Sequence, residues 1–295
     1  MNTLSLRAFG ARVLIAVAAA VMASAPAYAA RIGILTNKYA PQTAADFSTN
    51  VGGHTFTPID TSVTIPTLAS LTGAFDAILV FEDATFGNAT AVGNVAAAYA
   101  NSGRPVVLGA FYDQDRSDAP AVNSPHGWGA LEQIDPNTTD GTGTPYTLRT
   151  LDTATLARHP LTAGLNSLTS AKFAGGNQPK PGTTVVAWWK QPNALGKPDP
   201  AIAYRITGPA CVIQVAIAPN YPSIPNASTD YSGDFHRAWK NAFDFAGAHC
   251  VASTSEAAPP DVTAVPTLSP LGLALTVLLV GAGAGTAFRR GRRAR

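Results

Sequence analysis

The sequence predicts an α/β domain in which a mainly parallel sheet, with helices on both faces, is extended by antiparallel strands. In the first half of the chain, short apolar runs of strand length alternate with helical segments, and each run passes directly into loop residues, as buried parallel strands do. In the second half, strand-like runs are separated by Pro and Gly clusters, which is typical of antiparallel strands. The predicted domain covers residues 30–251, enough for one substantial core.

Four strands and one long helix are predicted in the first half. The strands cover residues 31–36, 54–60, 75–81 and 105–111, and an Ala-rich helix covers residues 89–102. The order strand, helix, strand implies right-handed crossovers into a parallel sheet. Ligands of such sheets bind beyond the carboxyl ends of the strands, which indicates the loops 36–39, 82–86 and 110–115.

The second half is predicted to add strands and one closing helix. The strands cover residues 147–152, 183–190, 201–206 and 211–218, and the helix covers residues 234–248. In this helix the aromatic residues Phe235, Trp239 and Phe243 recur every four positions, which indicates core packing.

Five side chains near the strand ends are candidates for ligand binding: Glu82, Asp83, Asp113, His126 and Trp128. Glu82 and Asp83 follow a strand, where acid and base groups often lie, but the sequence places no second group opposite them. Asp113 begins a loop with three carboxylates, but without the Gly and terminal Glu of a calcium loop it is interpreted as solvated. His126 either contacts a ligand or is an ordinary turn residue. No metal and no cofactor is predicted.

Three further residues have weaker signals. His159 precedes a proline and is interpreted as shaping that turn. Trp188 and Trp189 are consecutive in a strand, so at most one faces outward, where an indole can stack on a sugar.

Two cysteines, Cys211 and Cys250, are predicted to form a disulfide between an apolar strand and the end of the last helix. A metal site or a nucleophilic thiol is the alternative. It is disfavoured because neither residue belongs to a Cys-x-x-Cys or Cys/His cluster.

Both ends of the chain have the composition of targeting signals. Residues 1–29 are predicted to be a signal peptide, with Arg7 and Arg12 before an apolar stretch and Ala27-Tyr28-Ala29 as the cleavage site. Residues 252–264 are interpreted as a linker. Residues 271–288 contain no ionisable side chain and are just long enough to cross a ~30 Å hydrocarbon layer as a helix. Five arginines follow, and they predict a cytoplasmic C-terminus.

These signals predict the localisation and the first partners. We expect a precursor that the Sec machinery exports, that signal peptidase cleaves and that is anchored in the inner membrane. Its domain lies outside the cytoplasm and then reaches the cell surface or the medium. Surface polysaccharide is a candidate partner. The chain has 20 basic and 18 acidic residues, but seven basic ones lie in the terminal signals, which leaves the part of the chain between these signals net acidic at −5. Nucleic acid binding is therefore excluded.

The segment from Val265 to Gly272, with the motif Pro266-Thr267-Leu268, resembles the C-terminal sorting cassette IPTL-CTERM, which is related to PEP-CTERM. The resemblance implies cleavage near Pro266 by an exosortase-like enzyme, and a permanent single-span anchor is the alternative. Val265 replaces the usual Ile, and Pro270 stands where an acidic residue is common.

The central domain resembles the flavodoxin-like domain of class I glutamine amidotransferases and trehalose-utilisation-type proteins. The matching segments are Leu151–Leu165 with its His-Pro-Leu-Thr-Ala-Gly turn, Gly127-Trp128-Gly129 and Gly233–Ala242. Active amidotransferases carry a Cys on a sharp turn after a central strand, and a His and a Glu after a later strand.

The corresponding positions in this chain are Ala110 and Phe111, then Asn220 and Tyr221, so no catalytic residue is assigned. The sequence thus predicts an exported, surface-sorted, non-catalytic binding or structural protein of the envelope or matrix. The alternative is an extracytoplasmic hydrolase or carbohydrate-active enzyme that uses Glu82, Asp83, Asp113 or His126.

Overall fold

The computed structural model describes residues 29–83, 88–110, 127–141, 148–172, 174–223 and 230–250. The linker, the sorting signal and all but the last residue of the predicted signal peptide lie outside the described residues, as do Asp113 and His126. The interpretations of those segments stay predictions.

The first half of the domain alternates strands and helices. Its elements are β1 (Arg31–Thr36), α1 (Ala40–Asn50), β2 (Thr55–Asp60), α2 (Leu68–Ala74), β3 (Ala77–Val80), α3 (Ala89–Asn101) and β4 (Val106–Leu108). The second half consists of strands and one helix: β5 (Asn137–Thr139), β6 (Arg149–Thr150), β7 (Leu168–Ser170), β8 (Asn177–Pro179), β9 (Thr183–Trp189), β10 (Asp199–Thr207), β11 (Ala210–Val215), β12 (Tyr231–Gly233) and α4 (Phe235–His249).

The central sheet has seven strands in the order β2-β1-β3-β4-β11-β10-β9. The first five are parallel, and β10 and β9 continue the sheet in antiparallel pairing. The prediction of a mainly parallel sheet extended by antiparallel strands is confirmed, with β4 as its middle strand. Strand lengths differ: the predicted strand 147–152 is reduced to Arg149–Thr150, and the predicted strand 211–218 ends at Val215.

Helices cover both faces of this sheet. On one face, α1 and α4 pack against the strands through Phe47, Trp239 and Phe243, all fully buried. On the other face, α2 and α3 contribute a second core that contains Leu71 and Tyr99. The predicted core role of the aromatic stripe in the closing helix is therefore confirmed.

Trp128 belongs to this second core, which corrects its prediction as a ligand-binding residue. Its side chain is fully buried and packs with α3. The packing depends on Gly93 in α3, because a Cβ at that position would overlap the carbonyl oxygen of Trp128. A helical glycine permits a close approach of two backbone segments that any side chain would prevent.

The close approach predicts opposite effects of two Gly→Ala substitutions in helices. Gly93→Ala should lower the free energy of unfolding by about 1–3 kcal/mol or more, because the new methyl group has no room. Gly73→Ala in α2 should leave it unchanged or raise it by up to about 1 kcal/mol, since no atom lies within 4 Å of the added Cβ and Ala favours helix. Urea denaturation of both variants measures the difference. Equal effects would contradict the close packing at Gly93.

The disulfide Cys211–Cys250 joins β11 to the C-terminal end of α4 and confirms the predicted pairing. Both residues are buried, and their Cα atoms are 5.4 Å apart. The bond fixes the last helix to a strand inside the sheet, 39 residues away in sequence.

Removal of this disulfide should destabilise the domain strongly. For a separation of 39 residues, the chain-entropy model gives a loss of about 4 kcal/mol for the double variant Cys211→Ser, Cys250→Ser. Urea denaturation of the oxidised chain, the reduced chain and the double variant measures the loss, and the last two should agree. Labelling of two thiols in the unfolded chain without reductant would show that the bond does not form.

Candidate functional site

The candidate site lies at the carboxyl edge of the parallel strands, between β1 and β3. The chain leaves β1 to form β2 on one side and then returns to form β3 on the other side of β1. Connections that diverge in this way open a crevice beyond the strand ends, and ligands of open α/β sheets bind there. The loop after β1 begins with Asn37, Lys38 and Tyr39. The loop after β3 contains Glu82 and Asp83, the second and third residues after the end of the strand.

Asp83 connects three strand ends through hydrogen bonds. Its backbone N–H donates to Asn37 Oδ1 at 3.0 Å, which joins the loops after β3 and β1. Its carboxylate Oδ2 accepts a hydrogen bond from Asn220 Nδ2 at 2.9 Å, and Asn220 follows β11. The Asn37 side chain therefore holds the backbone of Asp83, and the Asn220 side chain holds its carboxylate. We call Asn37, Lys38, Tyr39, Asp83 and Asn220 the Asp83 cluster.

Tyr39 has an unusual backbone conformation at the start of α1. Its φ of 61° lies in the left-handed region, and it is the one non-glycine residue of the described segments with positive φ. Such conformations are strained for residues with a side chain and concentrate at functional sites. Lys38 Nζ lies 5.0 Å from the centroid of the Tyr39 ring, within the range of a cation–π contact.

Burial raises the pKa of Asp83 above its ordinary value, because desolvation disfavours the carboxylate. The positive charge of Lys38 and the hydrogen bond from Asn220 lower the pKa again, but by less than burial raises it. Asn220 is fully buried, and its Oδ1 accepts no hydrogen bond within the described part of the chain. A buried amide oxygen of this kind can accept a hydrogen bond from a water or a ligand.

The end of the central strand β4 has no room for a side chain. A Cβ on Gly109 would stand 2.7 Å from Pro219 Cδ and 3.0 Å from Phe81 Cβ. The next residue, Ala110, is buried, and its N–H donates to the carbonyl of Ile217 at 3.1 Å. Neither position offers a thiol or hydroxyl, so the described part of this turn supplies no nucleophile.

The structure brings only part of the predicted site together. Glu82 and Asp83 lie at the carboxyl edge, Glu82 being almost fully buried at 2% exposure. His159 shapes its turn as predicted, since its Nδ1 accepts the Leu161 N–H at 3.2 Å. Asp113 and His126 lie outside the described residues. In the described ranges no three His, Cys, Asp or Glu side chains are grouped so that they could hold a metal ion.

Sequence reasoning missed Asn37, Lys38, Tyr39 and Asn220 as individual members of the site. The loop 36–39 was indicated as ligand-facing by its place after a strand, and this was the available signal. At Asn220 the sequence shows only that a catalytic base is missing.

Comparisons with known proteins give likenesses of fold. No family model and no curated protein matches this chain. Cytoplasmic Protein STM1381 from Salmonella typhimurium LT2 is 13% identical with a TM-score of 0.45, covering 72% of this chain and 97% of that chain. Cytoplasmic Protein STM3548 from Salmonella typhimurium is 10% identical with a TM-score of 0.49, covering 72% and 98%. Agd3, a novel carbohydrate deacetylase, is 15% identical with a TM-score of 0.40, covering 72% of this chain and 32% of its own. Function is therefore inferred from the residues of this chain.

Two findings correct the predicted localisation. Two of the similar structures are named as cytoplasmic proteins. Among the described residues there is no helix with the length and apolarity needed to cross a membrane. These findings stand against the prediction of a membrane-anchored precursor whose domain is exported to the cell surface. The predicted span 271–288 itself lies outside the described residues.

The raised pKa of Asp83 predicts that this residue costs stability at neutral pH. Its stabilising contribution is fully present below the unfolded-state pKa and is lost as pH rises through the raised folded-state value. Asp83→Asn, which can still accept the bond from Asn220, should therefore raise the free energy of unfolding at pH 7.5, and the gain should shrink toward pH 4.5. Urea denaturation at both pH values measures it.

The matched control is Asp60→Asn, an exposed carboxylate at the end of β2 that accepts hydrogen bonds from Ser62 within its own turn. This variant should show no gain at pH 7.5. A loss of stability in Asp83→Asn at pH 7.5 would contradict the inferred cost of the buried charge.

Proposed function

We propose that this chain is a non-catalytic binding protein whose flavodoxin-like domain, of the class I glutamine amidotransferase type, holds a small polar ligand at the Asp83 cluster. The strand order supports the fold assignment, because β2-β1-β3-β4-β11 follows the 2-1-3-4-5 order of flavodoxin-like sheets. The crevice between β1 and β3 is the ligand position that this order implies.

The observation that carries the proposal is that amide side chains from two other strand ends fix Asp83, with Asn37 bonded to its backbone N–H and Asn220 bonded to its carboxylate. This arrangement fixes one hydrogen-bond acceptor, which is partly buried and close to the charge of Lys38. A ligand with hydroxyl or amine donors would donate a hydrogen bond to the Asp83 carboxylate, and an oxygen of the same ligand would accept one from the Lys38 ammonium. The ring of Tyr39 offers an apolar surface beside these groups.

The same residues argue against amidotransferase chemistry as the function. That reaction needs a nucleophile on the turn after β4, where Gly109 has no space for a side chain and Ala110 offers none. It also needs a base after the later strand, where Asn220 instead donates a hydrogen bond to Asp83. An amide cannot take up the proton that a nucleophile would release.

Ligand titration of the full chain tests the proposal. Isothermal titration calorimetry with glucose, glucuronate and glutamine samples hydroxyl, carboxylate and amine groups in small polar molecules. We expect at least one of these to bind, and Asp83→Asn to weaken binding about tenfold or more, as loss of a hydrogen bond to a charged group does. Asp60→Asn should leave binding unchanged. Failure of all three probes to bind would contradict the proposal.

Turnover assays decide between the binding protein and the enzyme alternative. The full chain is incubated with glutamine, a nitrophenyl ester and nitrophenyl glycosides, and the products are measured. We expect no turnover above that of the Asp83→Asn variant. Turnover that Asp83→Asn or Glu82→Gln abolishes would replace the binding function with a hydrolase.

A further inference from the structure

A second concave site lies beside β9, the edge strand at the other end of the sheet from β2. It is a pocket of about 440 Å³, within the size range of small-molecule sites. Its lining comes from the loop after β6, from the end of β9 and from the turn before β10, and it includes Asp152, Thr155, Trp188, Lys190, Pro192 and Pro198. The Asp83 cluster contributes no residue to this lining, so the pocket is independent of the proposed function.

Trp188 is the partly exposed indole of this pocket. The chain has four tryptophans, and Trp128, Trp189 and Trp239 are at most 3% exposed. Trp188 is half-buried, because consecutive strand residues point to opposite faces and Trp189 occupies the inward position. An indole that lies in a concave pocket but outside the core can offer part of its surface to a ligand.

The pocket wall is held by backbone hydrogen bonds. The Asp152 N–H donates to the carbonyl of Trp188 at 2.9 Å, and the Lys190 N–H donates to the carbonyl of Thr150 at 2.8 Å. The end of β6 and the residues after it therefore pair with β9 on both sides of Trp189. A pocket built in this way exists before a ligand arrives, so less conformational entropy is lost on binding.

Two polar groups converge on the pocket with opposite hydrogen-bonding roles. The Asp152 carboxylate is oriented by the Ala154 N–H at 3.2 Å and the Thr155 hydroxyl at 2.9 Å. An ionised carboxylate has about four lone-pair positions, so it can accept further bonds. Lys190 Nζ makes no hydrogen bond or ion pair within the described segments, and its three donors are available.

We propose that this pocket binds one or two units of a neutral oligosaccharide. A pyranose has an apolar face, which suits the Trp188 indole, and a rim of hydroxyl groups that both donate and accept hydrogen bonds. Asp152 accepts from these hydroxyls and Lys190 donates to them, while Pro192 and Pro198 form apolar walls.

Tryptophan fluorescence of the full chain tests the proposal directly. Since the other three tryptophans are buried, collisional quenching by iodide reports mainly on Trp188. Cellobiose, maltose and N,N′-diacetylchitobiose serve as probes. We expect at least one of them to reduce the quenching in a saturable manner and to shift the emission to shorter wavelength. If none of the three changes the quenching, the proposal is overturned.

Variants show whether the bound sugar occupies this pocket, with saturation-transfer NMR as a readout that needs no tryptophan. Trp188→Ala should weaken binding at least tenfold, Trp188→Phe should restore part of it, and Lys190→Gln should weaken it severalfold. The control Lys172→Gln removes an exposed charge that pairs with Asp230 and should change nothing. Asp83→Asn should also leave sugar binding unchanged, so failure here and failure of the proposed function are distinguishable.

Two outcomes would overturn the carbohydrate site. One is binding that remains within about twofold of wild type in both Trp188→Ala and Lys190→Gln, as judged against the tenfold effect expected of a central aromatic contact. The other is quenching protection by a proline-rich peptide without protection by any of the three sugars, which would indicate a peptide groove.

Discussion

Burial of the central strands on both faces determines where this domain can present polar groups. Every residue of β3, β4 and β11 is buried. Their side chains are almost all apolar, because a buried polar group is costly unless it is hydrogen-bonded. Polar residues of the parallel half that face a ligand must therefore lie beyond the strand ends. The Asp83 cluster follows this constraint, since its members come from the loops after β1, β3 and β11.

The order of the strands could be predicted because apolar runs of strand length are a strong local signal. The helix α1 could not be predicted. Its buried face consists of Ala40, Thr43, Ala44 and Phe47, which have helical spacing but are mostly small or polar. Such a stripe has little contrast with the rest of the helix, so periodicity does not reveal it. Trp128 was misjudged for a related reason. Trp128 can be buried because Gly93 in α3 leaves room for its backbone. A glycine in a helical segment does not indicate from sequence which residue it will contact.

The candidate site was predictable as a place but not as a set of contacts. Glu82 and Asp83 follow a clear strand, which is a local property. The partners of Asp83 are 46 residues before it and 137 residues after it, and sequence alone does not give the strand order that brings them together. The left-handed conformation of Tyr39 is likewise imposed by the turn from β1 into α1, not by any preference of tyrosine.

The antiparallel half solves the problem of presenting side chains in a different way. Its edge strand β9 is not buried on both faces, so Trp188 can remain half-exposed while Trp189 enters the core. This edge is anchored by the buried ion pair between Arg149 of β6 and Asp199 of β10, with Nε and Oδ2 3.1 Å apart. Burial raises the pKa of Asp199 to about 6, and backbone N–H groups of Gly176 and Asn177 as well as Arg149 act against that rise.

A buried pair of this kind contributes little net stability, but loss of one partner leaves an unpaired charge in the core, at a cost of about 3–5 kcal/mol. The pair therefore restricts β6 to one position against β10 and β9. That position sets the start of the segment that carries Asp152 to the pocket. In the parallel half, hydrogen bonds between the loops fix the strand ends. In the antiparallel half, a buried ion pair fixes the edge. Because the two arrangements share no residue, a ligand can occupy either site without a direct contact to the other.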